Sequence, residues 1–258
     1  MSEGVSIQIV LPNFNSVKYL ARVIDSFLAQ QYPHKKLWIV DGKSSDDSHA
    51  VIERYAKKHP EIEWINQADS GISNAINLAL PHIDSDAIWG YLGSDDILLP
   101  GVFEQVAQAF KLEPSLDGLY FDCYSFTPGR NMLYQRCPDL PFSVRSLIKH
   151  GTLVGLQNIF VRADLVKRFQ FNEQARYGMD YELYLRLAAN GHQVFMHKPV
   201  ASTINIADGN ISTVFSAKAN REALRFALGI AGPSFLLAWR YVRHWLMLVL
   251  RRVVKRHG

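Results

Sequence analysis

Residues 37–46 read Leu-Trp-Ile-Val-Asp-Gly-Lys-Ser-Ser-Asp, an apolar run that stops at an acidic turn. The run is short, β-branched in part and closed by Asp41-Gly42, so it reads as a buried strand running into a turn. Ser45 or Asp46 then caps a helix expected to reach His59. Upstream the same unit recurs. Ser6–Leu11 reads as a strand ending in Pro12-Asn13-Phe14-Asn15, and a helix is expected from about Val17 to Gln30. Downstream, Glu63–Asn66 and Ala87–Tyr91 read as strands around a helix over Ile72–Leu80. Strand-helix alternation with short connections predicts an α/β fold with a mostly parallel twisted sheet flanked by helices. Ligands in such sheets bind beyond the carboxyl ends of the strands. The segments expected there are Pro12–Asn15, Asp41–Asp46, Asp69-Ser70-Gly71 and Gly93-Ser94-Asp95-Asp96, all on one rim.

The second half is less regular. A hairpin is expected over Leu119–Tyr124 and Asn131–Gln135, then a helix near Ser143–His150 and a strand over Asn158–Arg162. A helix over Tyr181–Ala189 precedes a short strand over Gln193–His197. Residues 1–212 are read as one catalytic-type domain, divided near residue 117, and 213–258 as a helical C-terminal extension.

Composition narrows the classes of function. Hydrophobic residues make up 48% of the 258 and charged residues 20%, the balance of a chain with a real core. The formal charge of +4 belongs to the tail, where Arg240, Arg243, Arg251, Arg252, Lys255 and Arg256 occur without an acidic residue. The body is mildly acidic, which argues against nucleic acid as a partner. No basic-then-apolar leader opens the chain, and Cys123 and Cys137 have no metal-type spacing, so reduced thiols and a cytoplasmic location are expected.

Asp95-Asp96 carries the most chemistry. Adjacent carboxylates at a sheet edge repel one another, whereas Mg²⁺ or Mn²⁺ shares such oxygens with substrate phosphates. Helix capping explains the pair poorly, because Pro100-Gly101 delays the next helix. Asp41 and Asp69 each sit in ordinary turn sequence and draw interest only from the shared rim. Asp180 and Glu182 lie at the start of an amphipathic helix, where acidic residues favour the helix dipole and where one could equally be a general base.

The order and spacing of these segments resemble the family 2 glycosyltransferases of GT-A fold, over roughly Val5 to Ser212. Ile9-Val-Leu-Pro-Asn-Phe-Asn15, Ile39-Val-Asp-Gly-Lys-Ser-Ser-Asp46, Asp69-Ser70-Gly71 with Ala75 and Asn77, Tyr91–Asp96 and Gly178–Leu187 are similar to its successive motifs. The resemblance implies an inverting transferase moving a sugar from a nucleotide-diphosphate sugar, a UDP-hexose by default, to a saccharide or lipid-linked saccharide acceptor. It assigns Pro12, Asn15, Asp41 and Asp69 to the nucleoside, Asp95 to ribose and metal, Asp96 to the metal (Mn²⁺ or Mg²⁺), and Asp180 to the base. Glu182 is the alternative base. Asp208, Gly209 and Ser212 would belong to a flexible loop closing over the diphosphate. The sequence departs at Ser94, where an aspartate is frequent, at Ala79 and at Met179.

Two other classes compete. A sugar nucleotidyltransferase needs a Gly-rich loop after the first strand, and Pro12–Ser16 has no glycine. A non-catalytic nucleotide-sugar binder would not need Asp95, Asp96 and Asp180 together. In the tail, Phe235, Trp239, Val242, Leu246, Val249 and Val253 form one apolar stripe on a helix. Arg240 and Arg243 interrupt it, at about 2.5–3.5 kcal/mol each on insertion scales, so a membrane span is not expected. The stripe suits an anionic membrane surface on the inner face of the cell membrane, or else a homodimer or domain contact.

Overall fold

The computed structural model describes residues 4–206 and 216–233. The first four strands are β1 (Ile7–Asn13), β2 (Lys35–Asp41), β3 (Ile62–Asn66) and β4 (Ile88–Tyr91). Interleaved with them are α1 (Val17–Leu28), α2 (Ser48–Ala56) and α3 (Ile72–Ala79). β5 (Asp96–Leu98) leads to α4 (Val102–Leu112), β6 (Gly118–Phe126) and β7 (Leu133–Gln135). α5 (Val144–His150), β8 (Ile159–Arg162), α6 (Ala163–Phe169), α7 (Met179–Ala189) and β9 (Phe195–Ile206) follow, and α8 spans Ser216–Ala231.

All nine strands among the described residues join one sheet in the order β3-β2-β1-β4-β8-β6-β9-β5, with β7 beside β6. The expected parallel arrangement is realised in β3-β2-β1-β4. Beyond β4 the sheet turns mixed, because β8 enters antiparallel to both β4 and β6 while β9 runs parallel to β6.

β1 is central and apolar on both faces, as a strand sandwiched by helices must be. Ile7, Ile9 and Leu11 pack with Leu20, Val23, Ile24 and Phe27 of α1 and with Val102, Phe103 and Val106 of α4. Val10 faces the other layer, with Ala75 and Ile76 of α3 and Leu183 and Leu187 of α7. The α7 stripe expected from its sequence is thus the side that seats it on the sheet.

Three elements depart from expectation. β5 begins at Asp96 itself, where only a loop was read, and pairs Asp96 with Asn205. β9 runs far beyond the short strand read near Gln193–His197. The boundary at 212/213 also shifts: Ala227 of α8 is fully buried, and Ala223, Leu224 and Ile230 pack on the same core as α7. Helix α8 therefore belongs to the folded body. Residues 234–258, with the apolar stripe and the basic cluster, lie outside the described residues.

Candidate active site

The carboxyl ends of β1 and β2 are level, with Asn13 opposite Asp41. Asp41 is fully buried, and each of its oxygens is already doubly engaged. Oδ1 accepts from Asn13 Nδ2 (2.7 Å) and Ser44 Oγ (2.6 Å), while Oδ2 accepts from Ser44 N (3.0 Å) and lies 2.6 Å from His49 Nε2. Burial alone would raise its pKa, but the hydrogen bonds from Ser44, Asn13 and His49 outweigh it and hold the carboxyl below its ordinary value. As the side chains stand, Asp41 is the buried anchor of the turn after β2.

Asn15 lies in the first rim loop, next to the turn that Asp41 anchors. It sits at φ 49°, a backbone conformation that asparagine tolerates. Its amide donates to Ser44 Oγ (2.9 Å), and its Oδ1 accepts from Ser45 N (2.7 Å), tying the first rim loop to the second. Pro12 lies one residue before Asn13 within β1, paired with Val40. Asp69 holds its own turn through Gly71 N (2.9 Å) and leans over Gly42, where a Cβ would stand only 2.5 Å from Asp69 Oδ2. The same imagined Cβ would lie 3.3 Å from the ring of Phe14, which is 61% exposed. Gly42 thus lets a carboxylate and an open aromatic face come together on the rim. No role was assigned to Phe14 from the sequence, although a bare aromatic between two rim loops is a recognisable signal.

Asp95 and Asp96 lie further along the rim. Asp96 is 6% exposed, and its Oδ1 accepts from Asn205 Nδ2 at 2.8 Å. Burial, then the Asp95 charge, push its carboxyl up to about 7 despite the hydrogen bonds from Asn205 and Gly93. A Cβ on Gly93 would be 2.6 Å from Asp96 Oδ2 and 3.0 Å from Asp95 Oδ1, so two oxygens converge over that bare Cα. Among the described residues no group of three His, Cys, Asp or Glu side chains is placed to hold a metal. Two hard oxygens short of a full shell suit Mg²⁺ or Mn²⁺, which complete their coordination with phosphate and water.

Asp180 joins this pair through Tyr91. Burial, and after it the charges of Asp96, Asp95 and Asp180, all raise the Tyr91 hydroxyl, so all three carboxylates lie within electrostatic reach of one phenol. The Asp180 carboxyl accepts from Tyr181 N (2.7 Å), and burial raises it to about 6. One turn along α7 the Tyr184 hydroxyl is buried without a hydrogen-bond partner, and burial and Asp180 raise its pKa well above the usual value.

Glu182 is elsewhere. It is 4% exposed and holds Arg186 through two contacts, Oε1 to Nε (2.8 Å) and Oε2 to Nη2 (2.7 Å). Arg186 in turn donates to Gln170 O (2.7 Å), closing the α6–α7 junction. Glu182, the alternative base, is thus held in a buried ion pair. Glu182→Gln is expected to lower the melting temperature by several degrees while leaving turnover per folded molecule within about threefold, because breaking a buried pair strands its partner. Thermal unfolding beside active-site-normalised rates checks this, and a stable but inactive Glu182→Gln enzyme would return the role to Glu182. The loop residues Asp208, Gly209 and Ser212 lie outside the described residues.

Comparison with known proteins follows the same lines. Chondroitin synthase of Escherichia coli is 27% identical over 190 residues, 72% of this chain and 27% of that protein. The minor teichoic acid biosynthesis protein GgaB of Bacillus subtilis is 23% identical over 228 residues, 85% of this chain and 25% of that protein. The chain thus spans about a quarter of the length of these relatives. Among solved structures, Staphylococcus aureus TarS 1-349 in complex with UDP-GlcNAc superposes with a TM-score of 0.71 at 18% identity, covering 93% of this chain and 73% of that one. A mannosyltransferase of Pyrobaculum calidifontis in complex with GDP-Man and Mn²⁺ gives 0.57 at 15% identity, covering 96% and 81%. The family model described as "Glycosyl transferase family 2" matches residues 8–160, the stretch that carries β1 to β4, both rim loops and Asp95-Asp96, and the chain belongs to that family.

Proposed function

We propose that this chain is the catalytic unit of an inverting glycosyltransferase that takes a sugar from a nucleotide-diphosphate donor, a UDP-hexose, to a saccharide or lipid-linked saccharide hydroxyl in bacterial surface polysaccharide synthesis. The meeting of Asp95 and Asp96 oxygens over Gly93, with Asp180 within electrostatic reach of the same Tyr91 hydroxyl, carries this reading, because it pairs an anion-rich metal locus with one poised base. A bound Mn²⁺ or Mg²⁺ would neutralise the diphosphate as its bond to the sugar breaks. Asp95 and Asp96 would hold that ion, with Asn205 fixing the orientation of the Asp96 carboxylate.

Asp180 takes the proton of the acceptor hydroxyl, whose oxygen forms the new bond to the anomeric carbon. The bond from that carbon to the diphosphate oxygen breaks on the opposite side, and the electron pair leaves with the nucleoside diphosphate. A pKa near 6 leaves Asp180 ionised at neutral pH yet more basic than an ordinary carboxylate, the compromise that general-base catalysis favours. Phe14 offers its open face to the base, and Asp69 lines the nucleoside side.

UDP is the preferred nucleotide because the TarS structures hold UDP and UDP-GlcNAc, although GDP-Man occupies the neighbour of lower TM-score. A thermal-shift panel of UDP, GDP, ADP and CDP with and without Mn²⁺ tests the assignment, since a ligand bound only to the native state raises its stability. The expected result is a Mn²⁺-dependent rise of several degrees with UDP. Equal, negligible shifts across the panel would sink it. No described helix is long and apolar enough to cross a membrane. The basic, apolar-striped tail is proposed to meet anionic lipid, and co-sedimentation of full-length and 1–233 protein with anionic and neutral vesicles decides that point.

A further inference from the structure

Helix α7 carries the proposed base, yet its own N-cap, Gly178, supplies no side chain to close its first turn. The closing group comes from α8. Glu222 Oε1 accepts from Tyr177 N at 2.9 Å and from Gly178 N at 3.0 Å, across more than forty residues of sequence. Gly178 O then receives the first helical hydrogen bond, from Glu182 N at 2.9 Å. Asp180 is two residues beyond Gly178. The opposite side of the same segment is held from the nucleotide half, where Ser73 Oγ of α3 lies 3.3 Å from Met179 Sδ and 3.5 Å from Ala175 O.

A carboxylate accepting two amide N–H groups makes charge-assisted bonds, stronger than neutral ones. Here they fall on the two amides that set the angle at which α7 leaves its loop, not on a remote part of the helix. Glu222 has its own seat: Ala223, Leu224 and Ala227 bury the neighbouring face of α8 against the core. The clamp is therefore anchored to a packed helix and ends two residues from the base.

We infer that Glu222 is a positioning residue, which aims Asp180 by fixing the Tyr177-Gly178 turn, and that α8 is thereby part of the catalytic machinery. The inference rests on the reading of Asp180 as the base. Generic helix packing would not require an acceptor at this turn, and glutamine in place of Glu222 preserves such an acceptor while removing the charge.

Full-length E222A and E222Q are compared with wild type, with and without D180N, using UDP-GlcNAc and UDP-glucose turnover in Mn²⁺ and the carboxyl NMR titration of Asp180. Misplacing a catalytic group by about 1 Å can cost about 10²-fold, so E222A is expected to lose about tenfold or more in kcat at a donor KM within about twofold. Its Asp180 titration is expected to fall from about 6 towards the ordinary carboxylate range as water enters the loosened turn. E222Q restores both readouts to near wild type. In the D180N background E222A is expected to cost less than about twofold, because the two residues act as one unit.

An Asp180 titration unchanged by E222A, or an equal loss of rate in the D180N background, overturns the positioning role. An active D180N enzyme overturns the base reading, while the titration still judges what Glu222 holds. Should E222A not fold, E222D keeps the charge, withdraws the acceptor by one methylene and enters the same comparison.

Discussion

Asp180→Asn is expected to reduce turnover by about 10² or more while nucleotide binding stays near wild type. The substitution keeps the shape of the side chain and the hydrogen bond from Tyr181 N but removes the ability to take a proton. In the native enzyme the base form is the ionised one. At saturating Mn²⁺, which keeps Asp96 ionised, the rate is therefore expected to fall as pH drops through about 6, by about tenfold per unit, and to level off above it. That limb should vanish in the variant. Stability moves the other way. The folded state holds the Asp180 proton up to about pH 6, whereas an unfolded chain releases it near the ordinary carboxylate value of 3.8. Across that window the folded protein binds more protons, so stability declines as pH rises, and above it the full penalty of a desolvated charge persists. Asp180→Asn removes the penalty, and its melting temperature at pH 7.5 is expected to exceed that of the wild type. A catalytic group held at the expense of stability is the signature sought. Calorimetry and a pH–rate profile on the pair of proteins read both effects. A variant that keeps a pH limb near 6, or half its turnover, would remove Asp180 from the reaction.

What the sequence made legible follows from how local each signal is. β1 to β4 and the helices between them were readable because each strand carries its own apolar run and its own turn. β5 was not, since three residues starting at Asp96 have no periodicity, and their partner in β9 lies more than a hundred residues away. The contact between Asn205 and Asp96 was hidden for the same reason, being created by sheet register alone. Asp180 and Glu182 could not be separated by position, because both acidic groups suit the first turn of α7. Arg186, four residues after Glu182, was the missed clue, since an acidic residue followed at that spacing by arginine is a pairing signal. Asp41 was placed correctly on the rim, but its burial depends on Asn13 and His49 arriving from other elements. Glu222 lies in a segment first assigned to an appendage, and nothing in its sequence environment points at α7.

The carboxylate pair invites the second large effect, from two substitutions with different physics. Asp96→Asn is close to isosteric and can still accept from Asn205, so the β5–β9 contact should survive. The charge that would balance a divalent cation does not survive, and transfer is expected to fall by about 10³ or more, together with the Mn²⁺-dependent part of the UDP thermal shift. Gly93→Ala tests geometry instead of charge. Both aspartates remain, and Gly93 is absent from the positive-φ positions, so alanine imposes no backbone strain there. The added methyl would stand 2.6 Å from Asp96 Oδ2 and 3.0 Å from Asp95 Oδ1, inside normal contact distance. Asp96 is boxed in by burial and by Asn205, so the two carboxylates must separate. A loss of about 10² in turnover is expected from a displacement on the order of 1 Å, with little change in melting temperature. The two variants should then share one phenotype, in which UDP binds weakly and Mn²⁺ no longer improves it. Wild-type transfer by Gly93→Ala, with its Mn²⁺ response intact, would mean that the oxygens over Gly93 are not the ones that face the diphosphate, and the metal would have to be sought elsewhere on the rim.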